Sequence, residues 1–357
     1  MMKVLRYGKM AYIKSSKGVE TLSITTGTLP DHNTLNVASV KNTGRHTLIT
    51  LDVLWKAPFL FELLPQKYTN EGTGSSRDYT ISAATYEYVD ITFCYTTLVQ
   101  GEVVIPESNP IFSHAGWIEN ESDYTLRLYL KTKGKFYGWS AYYNDADQLV
   151  FSFLNPAEIS AADNDYGFRL DGIIVAIDVG HGGNDVGALG SNKNYSESVL
   201  NLTLAKMLKA ELESLGAAVV MTRYDNNTNP TSDQRMKLIN DTNPDYCIAI
   251  HRNAASGSSP RGFASYHFNA FTSDPAKILY KATAAKNLYE EVNGTYWYGT
   301  KWHMFYSSRQ TNCPVVLTEN GFITNPTDFA NMIRDDFNLK CAKALTEGIV
   351  NYFVSIQ

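Results

Sequence analysis

The sequence predicts two structural classes in one chain. Residues 172–357 are expected to form an α/β domain, with a mixed, mostly parallel sheet and helices on both faces. Residues 1–160 are expected to form an all-β, sandwich-like region. Three observations predict this. Short runs before residue 160 alternate apolar and polar residues with period two. After residue 172, short apolar runs alternate with stretches of helical spacing. Several of those runs also deliver an ionisable side chain just past their ends, where ligands bind in open α/β sheets.

In the first half, Val89, Ile91, Phe93 and Tyr95 alternate with Asp90, Thr92 and Cys94. Leu126, Leu128 and Leu130 alternate with Arg127, Tyr129 and Lys131, and Leu149, Phe151 and Phe153 form a third run. Turn-rich stretches such as Asn70–Ser76 separate them, and no long amphipathic helix is read here. Residues 161–171, polar and without pattern, read as a linker.

In the second half, Ile173–Asp178 reads as a strand leading into Gly180-His181-Gly182-Gly183. Glu197–Leu215 has helical spacing and is stopped by Gly216. Ala217–Thr222 reads as the second strand. Thr231-Ser232-Asp233-Gln234 fits a capping box opening a helix through Ile239. Tyr246–Ile250, Gly262–His267 and Val315–Leu317 read as further strands, and Pro275–Val292 and Leu339–Phe353 as helices.

Composition bounds the function. An apolar fraction of 44% and a charged fraction of 19% describe a globular protein. The net charge of −5 comes with no basic cluster, which argues against nucleic acid as a partner. No run is apolar and long enough for an integral membrane segment, and no export signal is visible. The scattered Cys94, Cys247, Cys313 and Cys341 contain no Cys-x-x-Cys pair, so a thiolate metal site is not expected and the buried-hydrophobe role is.

His181, His251 and Glu319 each follow an apolar run, and Glu197 opens a helix. Two imidazoles and a carboxylate are a zinc donor set that leaves a position for water. On this reading His181, Glu197 and His251 bind the metal, one zinc per chain, and Glu319 carries the proton between water and leaving group. The same glycine-rich turn also fits a phosphate cradle, so spacing alone leaves that open.

At these residues a family resemblance appears. Val175–Ala188 resembles the opening motif of the zinc-dependent N-acetylmuramoyl-L-alanine amidases, the amidase_3 family. Glu197–Leu202 resembles the motif carrying that family's ligand glutamate, Ala249–Ala254 its Ser-Ile-His-x-Asn-Ala, and Pro314–Asn325 its last motif with the catalytic glutamate. Val220–Arg223 and Gln234-Arg235 fall where the family has its Thr-Arg and Arg elements. The resemblance is collinear over residues 172–353. It departs at Ala249, Arg252 and Thr324, none of them a proposed ligand.

The resemblance implies zinc-dependent hydrolysis of the amide between N-acetylmuramic acid and L-alanine in peptidoglycan, at the bacterial cell envelope or outside the cell. It assigns zinc to His181, Glu197 and His251, and general base then general acid to Glu319. Smaller expectations follow. Arg252 contacts substrate carboxylates or forms an exposed salt bridge. Asn253 binds substrate or holds its loop. Asp178 orients a ligand histidine or caps the turn. Arg223, Arg235, His267 and His303 are read as structural. Residues 1–160 are expected to be a targeting or wall-binding module, comparable to an AMIN domain. The competing functions are a zinc peptidase cutting within stem peptides and a non-catalytic wall-binding protein.

Overall fold

The computed structural model describes residues 32–65, 85–121, 123–190, 192–289 and 299–357, with the backbone of two short strand pairs, Met2–Arg6 with Lys9–Ile13 and Thr69–Asn70 with Tyr79–Thr80. The expected turn at 71–76 and the last residues of the expected helix, 290–292, lie outside the described residues.

The alternating runs of the first half build two sheets. In one, Phe112–Glu119, Tyr124–Leu130, Tyr88–Phe93 and Phe59–Leu64 pair antiparallel in that order. The other runs Trp139–Tyr143, Leu149–Leu154, His46–Val53, Asn33–Asn42 and Thr96–Gln100, with the last pair parallel. Leu35, Ile49, Leu51, Phe151 and Phe153 of one sheet meet Val89, Ile91, Phe93, Leu126 and Leu128 of the other in one apolar cluster. This is the outcome that period-two alternation dictates, since alternate side chains share a face. Tyr95, expected to extend its strand, instead sits in a turn at φ 58° and is exposed.

The second half forms a mixed sheet in the order Ala218–Met221, Ile174–Val179, Tyr246–Asn253, Val315–Phe322, Phe263–His267 and Gly299–Trp302. The first four are mutually parallel, and Phe263–His267 runs antiparallel to Val315–Phe322. Gly299–Trp302 is an edge strand the sequence reading did not include; its short, polar run carries no periodic signal. Helices α1 (Glu197–Ser214), α2 (Ser232–Thr242), α3 (Ser273–Ala285), α4 (Pro326–Met332) and α5 (Asp335–Val354) complete the unit. The capping box at Thr231 and Gln234 is formed in both directions.

Helices on both faces is an expectation met only in part. Val175, Ile177, Tyr246, Ile248 and Val316 point into a core with Leu204, Leu208 and Leu212 of α1, Leu279 of α3 and Leu345 and Ile349 of α5. Ala176, Cys247 and Val315 have the opposite parity, and their face meets Ile239 of α2 together with the apolar cluster of the strand-rich half. The reason is size. Helix α2 buries only Arg235 and Ile239, too little to cover that face. The two halves are further joined by an Arg45–Asp245 ion pair at 2.9 Å, and Phe136 meets Phe271 edge-on at 5.5 Å.

The 161–171 segment, expected as a linker, carries part of a short strand pair, Ser160–Ala161 with Phe168–Arg169. It also inserts fully buried Leu170 into the α1 and α5 core.

Candidate metal and catalytic site

The four chemical residues converge at the carboxyl ends of the central strands, as ligand sites do in open α/β sheets. His181 follows Ile174–Val179, His251 lies near the end of Tyr246–Asn253, and Glu319 stands opposite His251 in the neighbouring strand. Glu197 opens α1.

The loop geometry depends on glycine at two places. A Cβ on Gly180 would lie 2.4 Å from the His251 ring, and one on Gly187 would lie 2.7 Å from Glu197 Oε2. His181 itself adopts φ 61°, a region costly for a residue with a Cβ. Its loop doubles back so that Gly182 and Asp185 exchange backbone hydrogen bonds.

Glu197 is the hub. Its Oε1 lies 3.2 Å from His181 Nε2 and 3.0 Å from His251 Nδ1, and accepts from the Arg252 backbone N–H at 3.1 Å. The Asn201 side-chain amide donates to the same oxygen, and the Ala188 N–H donates to Oε2. Burial opposes the Glu197 charge, but hydrogen bonds from the two histidines overcome it and hold the carboxyl well below the usual range. The hydrogen bond to Glu197 correspondingly raises His181 to about 9. Burial pulls His251 down, yet the same carboxylate leaves it raised.

Donor atoms of His181, Glu197 and His251 all lie within 4.8 Å of one another. Ligands about 2.0–2.2 Å from a tetrahedral zinc are about 3.3–3.6 Å apart, close to the two separations from Glu197 Oε1, 3.2 Å to His181 and 3.0 Å to His251. Nitrogen and carboxylate donors are those zinc accepts, so the residues fit the metal. Asp185 Oδ2 lies 2.9 Å from His181 Nδ1, which leaves Nε2 for the cluster.

Glu319 differs from Glu197 in that its Oε2 receives no hydrogen bond among the described residues. Its Oε2 is buried without a hydrogen bond, and burial pushes its pKa up to about 7. A carboxyl with that value exchanges protons readily near neutral pH. A cleft of about 380 Å³ opens over His181, His251 and Glu319, with Thr231, Arg235 and Tyr306 on its walls.

The remaining expectations fare differently. Arg252 touches neither the cleft nor solvent. It is 2% exposed and donates to the Asn320 and Leu200 carbonyls and to Asn338 Oδ1. It shares the parity of Ile248 and Ile250 and therefore points under α1 and α5. Asp178 bonds Thr222 Oγ1 at 3.0 Å and pairs Arg235 at 2.9 Å, rather than a ligand histidine. The histidine-orienting contact belongs to Asp185, inside the quoted motif but given no role from sequence. Asn253 Oδ1 accepts from the Ala254 N–H.

Arg223 is buried and donates to the carbonyls of Val179, Gly180 and Ser198. Burial pulls His267 down to about 4, and His303 stacks on Phe305. Asn201 and Tyr306 were not singled out from sequence. Nothing local marks Tyr306, whereas Asn201 stands one helical turn after Glu197, a spacing that places both on one face.

Residues 175–351 match the family model Amidase_3, described as N-acetylmuramoyl-L-alanine amidase. The chain is 31% identical over 189 residues to N-acetylmuramoyl-L-alanine amidase LytC of Bacillus subtilis, covering 51% of this chain and 36% of LytC. It is 33% identical over 202 residues to the probable cell wall amidase LytH of Staphylococcus epidermidis, covering 56% of this chain and 64% of LytH. Thus it spans less than two thirds of either relative. A solved N-acetylmuramoyl-L-alanine amidase from Clostridium difficile 630 overlays with a TM-score of 0.48 at 28% identity, over 51% of this chain and 97% of that one.

Proposed function

Residues 175–351 belong to the Amidase_3 family of N-acetylmuramoyl-L-alanine amidases, and we propose that this chain hydrolyses the muramoyl–L-alanine amide of peptidoglycan with zinc. His181, Glu197 and His251 hold the metal, and Glu319 moves the proton. The observation that carries this reading is the pairing of a three-donor cluster with a buried carboxyl whose Oε2 has no hydrogen-bond partner among the described residues.

Bound zinc supplies Lewis acidity and makes water nucleophilic near neutral pH. The protein residues do the rest. Asp185 orients the His181 ring, and Gly180 leaves room for the His251 ring. Glu319, ionised, takes the proton from the attacking water and then, as an acid, gives it to the departing amine nitrogen. Burial of Glu319 raises its carboxyl, which favours the acid form that the second half of that exchange needs.

We place the activity at the bacterial cell envelope or outside the cell, where peptidoglycan is. No described helix is long and apolar enough to cross a membrane. Residues 1–160 are proposed as the wall-binding or targeting module, with 172–357 as the catalytic domain.

The test is digestion of purified sacculi followed by mass spectrometry of the products. Intact stem peptides with a free L-alanine amino group are expected; shortened stems would indicate a peptidase. Chelation should stop release and zinc should restore it. Glu319→Gln should lower kcat about 10²–10⁴-fold with zinc content unchanged. Turnover at the parental rate in that variant would remove Glu319 from the mechanism.

A further inference from the structure

One wall of the cleft is held from outside the family domain. The chain leaves the edge strand Gly299–Trp302 and returns through residues 303–314 to the strand that carries Glu319. On the way Phe305, Tyr306 and Ser307 line the cleft. This return segment is anchored within its own half. The His303 N–H donates to the His267 carbonyl, the Asn269 side chain donates to the Gln310 carbonyl at 2.5 Å, and the Tyr306 hydroxyl bonds Asp233 of α2.

The next anchor comes from the strand-rich half. Trp139 opens the edge strand Trp139–Tyr143, and its N–H donates to the Thr311 carbonyl at 2.6 Å. Gly138 makes that approach possible. At φ +141°, a Cβ there would lie 2.6 Å from the Asn312 carbonyl oxygen and 2.9 Å from the Cys313 nitrogen. Both atoms are backbone, so the contact cannot yield by turning a side chain. Behind it, the Trp139 ring stacks on Phe61 at 3.8 Å and 8°, which ties this anchor to the aromatic core of the strand-rich half. Phe136, two residues before Gly138, braces Phe271 close to Asn269.

We propose that the strand-rich half sets the position of the Phe305–Ser307 wall, with Gly138 and Trp139 as positioning residues for substrate binding. The inference rests on the reading of this cleft as the amidase site. None of His181, Glu197, His251 and Glu319 lies on the braced segment, so its displacement affects how substrate is held rather than the chemical step.

The full chain is assayed on a soluble muramyl-peptide fragment with kcat and KM separated, and amide exchange across 303–313 is followed without substrate. Gly138→Ala is expected to raise KM about tenfold, with kcat within about twofold, because uniform binding is lost. Exchange across 303–313 should accelerate and zinc affinity should stay unchanged. Gly116→Ala, on a strand of the other sheet with open space around it, should leave both KM and exchange at the parental values. If Gly138→Ala does not fold, Phe136→Leu makes the same test, with a smaller rise in KM expected. A folded variant with parental KM and parental exchange overturns the proposal. A parent chain that releases no stem peptide overturns the amidase reading instead, and the exchange measurement still judges the positioning.

Discussion

Glu197 and Glu319 are the same residue type in one site, yet their surroundings drive them apart. Glu197 receives hydrogen bonds from two imidazoles, a backbone N–H and an amide, so it stays ionised. Glu319 meets burial without a donor on Oε2 and is pushed up to about 7. That difference predicts a pH signature in metal-free protein. A carboxyl whose folded pKa is raised costs no stability below its unfolded value of 4.5 and costs progressively more as pH rises toward about 7. Glu319→Gln should therefore melt near the parental temperature at pH 4.5 and above it at pH 7.5; a constant offset would contradict the assignment. Asp185 offers a second test. Asp185→Ala removes the acceptor on His181 Nδ1 and should weaken zinc binding about 10–100-fold by calorimetry, with Asp185→Asn less affected. The clustered residue types were legible in the chain because imidazole and carboxylate chemistry is intrinsic to the residue. Asp185 was not, because its role depends on a loop that turns back at Gly182.

At the scale of elements, period is the readable signal, and it worked where runs were long. Helix α1 shows its apolar stripe through Ala205, Leu208 and Leu212, all fully buried. Leu208→Ala should cost about 2–5 kcal/mol in denaturant unfolding, the range for emptying a core site. Thr231→Ala, which breaks the reciprocal cap of α2, should cost about 1 kcal/mol by the same measurement. Parity also explains the misplaced arginine. Arg252 continues the Tyr246, Ile248, Ile250 face, so it was bound to lie under the helices and not beside His251 in the cleft. Short elements escaped: Gly299–Trp302 has four residues and α4 has seven, too few for a period to stand out.

The whole molecule is organised around a sheet with unequal faces. Helices α1, α3 and α5 cover one, while the other takes α2 and the strand-rich half. Residues 172–357 expressed alone would expose Ala176, Cys247, Phe271 and Val315, which share a cluster with Phe136 and Phe153. That fragment should melt well below the full chain and bind an apolar dye; a fragment as stable and as dye-free as the full chain would show that this packing contributes little. The Arg45–Asp245 pair adds a smaller polar link across the same boundary.

By itself the sequence determined most strands and helices of the second half, though not Gly299–Trp302 or α4, and it picked out the four residues that converge at the carboxyl ends of the central strands; residues 175–351 match the Amidase_3 family model. Those follow from local period and from residue chemistry, which act over one or two turns of chain. Only the tertiary structure decided what covers the second face of the sheet, which acid orients His181, and which way Arg252 points. Each of these depends on surfaces distant in sequence meeting in space: Phe136 on Phe271, Trp139 on Thr311, Arg252 on Asn338. No periodicity along one segment records which partner its exposed face will find.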